Sequence, residues 1–592
     1  MPDVTELTAW VDNSEDATVS ARQLSERDRD YYDGDQLTQA ERDELRRRGQ
    51  PEIIINRIQR KIDFLKGVEK QTRTNPKAFP RTPVHEEDAE ACTDSIRYVC
   101  DNTNFDQVRS GVWENLLVEG AGGCEVIGEV VGNRIEIKIQ RYRWDRLFWD
   151  PHAVEADYAD AKYIGTIIWM DMQDALDRYG EDVKDILEHT IGEIRTEETY
   201  DDRPKHHLWA DRKRKRVKVA HIRYQEGGQW HWAIFTKGGI IQEGVSPYVD
   251  ENGEPECELI LQSAYCNRDN ERYGVVRSMI SAQDEINKRR SKMLHLAIMR
   301  QTMGETGAVQ DIRHMKSEMA KADGHIEVSP GAQFQILEGK NASDLGAQAQ
   351  LLSHATQEID LMGPNAAMEG RDARNLSGRA ILAQQQGGMV EMATMLDALR
   401  DFNLRVYRQV WNRIRQFWTE ERWVRVTDNE RNMKFVAFNE MARDPMGNPV
   451  MDMFGQGMLT PNAIQPVDLD VDIILEEVPD TITMQQEQFD ALVGLANAGV
   501  VFPPEVYIEA SELRNKRRLV EIITGGPENP EAQAAAQQQA QQTAELQNAL
   551  IDNTEADTQR KIAQAAKDAA ASEKLEAETD TIEAENVLSM IR

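Results

Sequence analysis

The sequence predicts an α+β fold in which helix predominates, and three observations carry that expectation. Apolar residues recur at three- and four-residue intervals up to about residue 115 and again between Tyr273 and Phe417, the spacing of helix faces turned towards a core. Within residues 125–265 apolar and polar residues instead alternate, the period of half-buried strands. After Gly525-Gly526-Pro527 and Pro530 the chain runs on without Gly, Pro or an aromatic residue, and its Ala, Gln and Glu content favours helix.

In chain order, Ile58, Ile62, Leu65 and Val68 share one face of a helix that begins after Pro51. Gly120-Ala121-Gly122-Gly123 reads as a short turn ahead of a strand, and Val126, Gly128 and Val130 with Ile135, Ile137 and Ile139 form a hairpin turned at Gly132-Asn133. Further strands are expected from Tyr163 to Trp169, Val217 to Gln225 and Trp230 to Ile241, with a helix from Met172 to Tyr179 between the first two and a Gly227-Gly228 turn between the last two. From Tyr273 to about Met303, the residues Met279, Ile286, Met293 and Leu296 mark a long helix. A short strand from Gln333 to Leu337 and a helix from Asp344 to Met362 follow, giving a helix, a compact insert and a returning helix. The loop from Gly363-Pro364 to Asn375 leads into a long amphipathic helix starting at Ser377, whose stripe is Met392, Met395, Leu399, Phe402, Val406, Val410, Ile414 and Phe417, with Gly387-Gly388 as a point of kinking. The last 62 residues, as one helix, would extend about 90 Å and would need neighbours. Their thin seam of Leu546, Ala549, Leu550, Ile562 and Leu575 suits lateral packing in a ring or bundle, the alternative being a disordered Gln/Ala-biased tail.

Length and charge narrow the function. At 592 residues the chain exceeds what one core organises, and its 40% apolar and 29% charged content fits a soluble assembly subunit with a large polar surface. No run approaches the roughly 18 apolar residues that span a bilayer, and the amino end lacks a basic-then-apolar signal, so no membrane partner and a cytoplasmic site are expected. Five cysteines, Cys92, Cys100, Cys124, Cys257 and Cys266, lack zinc-knuckle spacing and read as reduced structural thiols. The net charge of −33 rules out a chain that grips nucleic acid over its whole surface, because such grip comes from cations displacing counterions. It suits a channel wall along which a polyanion must slide, the alternative being that the acidity simply keeps the protein soluble.

No catalytic pattern emerges. Gly339-Lys340 lacks both the upstream glycine and the following Ser or Thr of a phosphate loop, and Gly120 to Gly123 lacks the spaced third glycine of a dinucleotide site. Neither H-E-x-x-H nor G-x-S-x-G occurs, and His206-His207 are adjacent rather than one helical turn apart. The expectation is a protein that is not an enzyme and uses no cofactor or metal.

Three basic groups stand out on so acidic a chain. Lys213-Arg214-Lys215-Arg216 with Lys218 reads as a charged turn entering a strand, or as a phosphate contact. Lys288-Arg289-Arg290 with Lys292 covers more than one face of a helix and points to ion pairs between subunits or to DNA phosphate. Arg371, Arg374 and Arg379 flank a loop, where they are candidate passing contacts to DNA or simply solvated.

Several segments together resemble the portal proteins of tailed bacteriophages, of the type found in short-tailed phages. The likeness lies in Arg29-Asp30-Tyr31-Tyr32-Asp33-Gly34-Asp35-Gln36, Arg48-Gly49-Gln50-Pro51 and Asn56-Arg57-Ile58, similar to that family's opening segment. Phe148-Trp149-Asp150-Pro151 with Asp157 and Asp160-Ala161 resembles its strand-exit motif. Tyr273-Gly274-Val275-Val276-Arg277 with Asn287-Lys288-Arg289-Arg290 resembles its first stem helix, and Asn375-Leu376-Ser377-Gly378-Arg379-Ala380 the entrance to its long helix. The resemblance covers roughly residues 25 to 425 and is weakest over 428–530.

It implies a ring of twelve subunits at one capsid vertex of the virion, assembled in the host cytoplasm with major capsid and scaffolding protein. Double-stranded DNA would pass through the ring, the terminase large subunit would dock on it, and head-completion or tail adaptor proteins would later replace the terminase, with no ATP hydrolysis by the ring itself. The implied division is a wing over 1–272, a first stem helix over 273–303, a clip over 304–343, a second stem helix over 344–362, a tunnel loop over 363–376, a long helix and return to the wing over 377–480, a crown over 481–526 and a helical barrel over 527–592. Two other classes compete: a packaging enzyme, which needs a phosphate loop or clustered metal-binding carboxylates, and a scaffolding or coiled-coil protein, against which the strand-rich block argues.

Overall fold

The computed structural model describes residues 1–71, 73, 76–81, 86–132, 134–192, 208–298, 301–321, 323–337, 340–362, 392–427, 433–444 and short pieces of 450–510. The chain forms two compact units, one of Met1–Val426 with Met433–Asp480 and one of Thr427–Asn432 with Thr481–Arg592.

The first unit begins with α1 (Val4–Asp33), a helix of 30 residues. The Asp3 carboxylate accepts from the Glu6 amide at 2.8 Å to cap its start. Gly34 ends it at φ 96°, a left-handed conformation that a residue without Cβ adopts freely, and donates its amide to the Asp30 carbonyl. α2 (Gln39–Arg47) starts at a Thr38/Glu41 capping box and buries no residue. α3 (Arg57–Gln71) buries Ile58, Ile62, Leu65 and Val68, as their spacing predicts. β1 (Pro76–Pro80), α4 (Glu86–Asn102) and α5 (Phe105–Val118) complete this helical start.

β2 (Ala121–Val131) and β3 (Arg134–Tyr142) make the expected hairpin. The turn expected over residues 120–123 is confined to Gly120, and Ala121 to Gly123 are already strand. The reason is close packing: a Cβ at Gly123 would meet the Ile260 carbonyl at 2.5 Å. Next come β4 (Leu147–Trp149), β5 (Tyr163–Asp171), α6 (Met172–Tyr179), α7 (Lys184–Gly192), β6 (Ala210–Asp211), β7 (Arg216–Glu226), β8 (Gln229–Thr236) and β9 (Gly239–Val245). Their strands form an antiparallel sheet of order β4-β5-β7-β8-β9, with β6 also paired to β7. The single strand expected from Trp230 to Ile241 is therefore two. The chain turns at Lys237-Gly238, where the bare Gly238 lies against α7, so that a Cβ there would come within 2.3 Å of the Ile186 carbonyl.

β10 (Leu259–Ser263) pairs with β2, and β11 (Tyr265–Cys266) with β12 (Arg272–Tyr273). α8 (Val276–Ile298), β13 (Gln301–Gly304), α9 (Ile312–Met319), β14 (Phe334–Leu337) and α10 (Lys340–Leu361) follow. α8 and α10 pack together as a helical hairpin closed by the β13–β14 pair. α8 is shorter than the expected Tyr273 to Met303 because strand pairing takes both ends. Tyr273 pairs with Tyr265, Gly274 lies where a Cβ would meet the Leu117 carbonyl at 2.3 Å, and Gln301–Gly304 pairs with Phe334–Leu337.

α11 (Ala393–Phe417) buries Met395, Leu399, Phe402, Val406, Val410 and Ile414. Its expected start at Ser377 and kink at Gly387-Gly388 lie outside the described residues, as does the chain from 527 onwards. β15 (Arg422–Thr427) pairs with β16 (Met433–Phe438), and β17 (Val471–Leu475) with β1. In the second unit the described helix is α12 (Pro504–Ala510).

One core joins α3, α5, α8 and α11 to the β2–β3 hairpin through Ile58, Trp113, Val126, Met279, Ile286 and Phe402. A second lies between α1 and the sheet, with Leu7, Val11, Phe148, Trp209 and Phe235. α1 also covers the β4 edge: Ser14 Oγ donates to the Trp149 carbonyl at 2.6 Å and accepts from its amide at 3.2 Å, while Arg22 donates to the Leu147 carbonyl. Arg223 of β7, 5% exposed, ties this sheet to the one that contains β2 and β10: it pairs with Glu258 at 2.7 Å and Glu125 at 3.0 Å, and Glu125 accepts from the Tyr142 hydroxyl. Replacing Arg223 with Met strands two buried carboxylates, and the melting curve should register a loss of about 3–5 kcal/mol. An unchanged melting temperature would show that the triad is dispensable.

Candidate functional site

The helical hairpin is joined to the rest of its unit by a polar clasp. Along α8, Gln283, Asn287, Ser291 and His295 follow one another at four-residue spacing, so their side chains form one row. The row holds the backbone of segment 49–57, which runs from the turn after α2 to the first residue of α3 and has peptide groups to satisfy and no strand partner among the described residues. Gln283 Nε2 donates to the Ile55 carbonyl at 2.7 Å and its Oε1 accepts from the Arg57 amide at 3.0 Å. Asn287 Oδ1 accepts from the Ile55 amide at 3.0 Å and Ser291 Oγ donates to the Pro51 carbonyl at 2.6 Å. His295 Nδ1 lies 3.2 Å from the Gly49 carbonyl. Gln283, Asn287 and Ser291 are all buried.

The motif residues of the opening segment close around this row. Gln36 accepts from Asn287 at 2.7 Å and donates to the Tyr31 carbonyl. The Tyr31 hydroxyl donates to Asp284 at 2.5 Å, and burial, with that carboxylate, pushes its phenol up. Tyr32 donates to Asp63 at 2.8 Å, and its carbonyl accepts from Asn56. Asp33 is exposed at the end of α1, and Gly34 supplies the left-handed cap. Asp28, fully buried, accepts from Arg277 at 3.0 Å, and burial raises its carboxyl despite that guanidinium. The second leg is tied as well: Arg57 reaches both Asp360 oxygens at 3.2 and 3.3 Å, and Lys61 donates to the Asp360 carbonyl at 2.9 Å. Two cations thus sit at the carboxyl end of α10, where the helix dipole favours them.

The second motif is a folded corner. Trp149 packs against Tyr158 with ring centres 5.3 Å apart and planes tilted by 59°, and carries the Arg22 guanidinium over its face. Asp150 accepts from the amides of His152 and Lys162 at 3.0 and 3.2 Å, and the Pro151 carbonyl accepts from Asn270 at 2.7 Å. Asp160 does likewise for the amides of Val154 and Glu155. These carboxylates shape backbone.

The basic groups separate. Lys213 to Lys215 form a turn entering β7 as expected, with Asp211 accepting from the Lys213 and Arg214 amides, while Lys218 is buried against Glu15 at 2.7 Å. In the α8 group Lys288 meets Asp284 at 3.2 Å and Glu41 at 3.8 Å, and Arg289 meets Glu285 at 2.5 Å and Gln348 at 3.2 Å. Arg290 and Lys292 are exposed, with no ion pair among the described residues. Arg371, Arg374, Asn375, Ser377, Gly378 and Arg379 lie outside the described residues. All five cysteines are free, and Cys92, Cys124 and Cys257 are buried, which pushes their thiols up. Among the described residues no three His, Cys, Asp or Glu side chains gather as a metal-ligand set, and no helix is long and apolar enough to cross a membrane.

The row on α8 was missed from sequence because hydrophobic periodicity looks for apolar residues; the available signal was four polar residues at four-residue spacing on a helix that must pack. Glu119 was missed too. It closes α5, is buried, and accepts from Arg29 of the opening motif at 2.6 Å. Burial pushes it up to about 7 against the pull of Arg29. A carboxyl whose folded value lies above its unfolded one contributes stability below about 4.5 that is lost as pH rises to about 7, on the order of 3 kcal/mol. Between pH 5 and pH 8 the stability difference between the wild type and Glu119→Gln should therefore shift towards the variant by about that amount, read from paired melts. A difference that does not change with pH would contradict this.

The family model described as Phage P22-like portal protein matches residues 8–570 of this chain. The chain is also similar to the portal protein of Helicobacter pylori bacteriophage KHP30, 22% identical over 417 residues, which cover 69% of this chain and 66% of that relative, just under two thirds of its length.

Proposed function

Because this chain belongs to the P22-like portal protein family, we propose that it is the portal vertex subunit of a tailed phage. Copies close into a ring, twelve in number, at one vertex of the capsid, and double-stranded DNA enters and leaves through the central bore. The extent of the family match, residues 8–570, carries this reading. The α8–α10 hairpin and its insert support it, since a helix pair capped by a small β-pair is what a stem and clip require.

In this reading the insert between α8 and α10 docks the terminase large subunit during packaging and adaptor proteins afterwards. The ring assembles in the host cytoplasm with major capsid and scaffolding protein and ends in the virion. Energy for DNA movement comes from the terminase, and this chain does no catalysis and binds no cofactor. Arg371, Arg374 and Arg379 act as passing contacts to DNA phosphates, while the net charge of −33 keeps the polyanion sliding.

Charge also sets a condition on assembly. Twelve copies at −33 bring together about −400 charges, so the ring closes only through specific interfaces and with screening by salt. Electron microscopy of the purified full-length chain should show rings with a hole wider than the roughly 20 Å of a duplex. Lowering the ionic strength should shift rings towards monomers in sedimentation. A compact particle without a hole would overturn the portal reading, and sedimentation that ignores salt would overturn the electrostatic condition.

A further inference from the structure

A polar pocket opens beside the start of β2, where α1 passes the loop between β11 and β12. Ala17 and Ala21 on one face of α1 and Ala121 on β2 leave it room, because their side chains end at Cβ. Its volume is about 90 Å³, several times the roughly 10–15 Å³ that one water molecule needs. Two charged side chains in its wall each leave an atom bare. Glu119, 2% exposed, accepts from Arg29 at 2.6 Å through Oε1, while its buried Oε2 has no hydrogen-bond partner among the described residues. Arg272, 3% exposed, donates through Nη2 to the Ala153 carbonyl at 2.7 Å and through Nη1 to Ser263 Oγ at 3.2 Å and the Val154 carbonyl at 3.3 Å. Its buried Nε has no partner among the described residues, and no ion pair joins it to Glu119.

We propose that this pocket is a hydration site, in which ordered water accepts from Arg272 Nε and donates to Glu119 Oε2. A buried donor and a buried acceptor that border one pocket without meeting are satisfied together by water, which is both acceptor and donor. Ions fit worse. An anion would meet the Glu119 carboxylate, and a cation would meet the guanidinium groups of Arg272 and Arg22. Burial brings the Glu119 carboxyl up to about 7, and water serves it in both charge states, donating to the carboxylate and accepting from the acid. The bridge joins segments that lie far apart in the chain. Arg29 of the opening segment holds Glu119 at the end of α5, and Arg272 stands just before α8. The water thereby ties α1 and α5 to the entrance of the helical hairpin, beside the bond of 2.8 Å from the Val275 amide to the Leu117 carbonyl.

The test is a density map of the full-length protein sharp enough to show ordered solvent. A water-sized peak, or a short chain of them, should run from Arg272 Nε to Glu119 Oε2 in steps of about 2.5–3.2 Å. An empty pocket would overturn the proposal, as would a direct Glu119–Arg272 pair or density for a larger ion. Magnetic relaxation dispersion of the solvent oxygen gives a second reading that needs no map. Ala21→Leu pushes a longer side chain into the pocket, so the variant should lose part of the long-lived water signal of the wild type. An unchanged signal in the folded variant would also overturn the proposal. Neither measurement depends on the portal reading: a dry pocket in a protein that still forms rings sinks the hydration site alone.

Discussion

The row of Gln283, Asn287, Ser291 and His295 along α8 is the contact on which the placement of the helical hairpin depends. Each turn of the helix offers one polar side chain to a passing backbone that no strand completes. A buried peptide group without a partner is costly, so neither the segment 49–57 nor the face of α8 is satisfied without the other. Asp28–Arg277 fixes the same helix lower down, and Arg57, at the far end of that segment, and Lys61, one turn further into α3, hold the end of α10. One stretch of chain thereby secures both legs of the hairpin.

The clasp connects sequence to function through rigidity. In the proposed ring a hairpin lining the bore would have to hold its angle while copies pack on either side, and an apolar contact alone is non-directional. Hydrogen bonds between a helix face and a backbone set both height and rotation, and these are the quantities that ring closure demands of each subunit. The motif segments around Tyr31 and Trp149 serve the same end: one closes on α8, the other folds the corner behind β4 that α1 covers. In the described residues, the family-like side chains hold structure in place.

Much of the fold was legible because it rests on apolar periodicity. The stripes of α3 and α11, the β2–β3 hairpin and the helix, insert, helix order of 276–361 follow from residues whose spacing has one stable outcome. The differences arise where close approach of backbones decides. At Gly123, Gly238 and Gly274 the absence of a Cβ lets one element lie on another, and nothing in local spacing announces which neighbour comes. The site was legible in part. The motif residues were identified, but their partners Asp284, Gln283, Ser291 and Glu119 were not, because a polar side chain on a helix gives no sign of facing another backbone rather than water. The α8 basic cluster was seen as one group, and only packing separates Lys288 and Arg289 from Arg290 and Lys292.

Amide hydrogen exchange on the full-length chain, compared with the Gln283→Ala/Asn287→Ala variant, tests the clasp most directly. The Ile55 and Arg57 amides, which donate to Asn287 and Gln283, should be protected in the wild type and exchange at least about tenfold faster in the variant, while α11 keeps its protection. Exchange of these two amides at unprotected rates in the wild type would contradict the account.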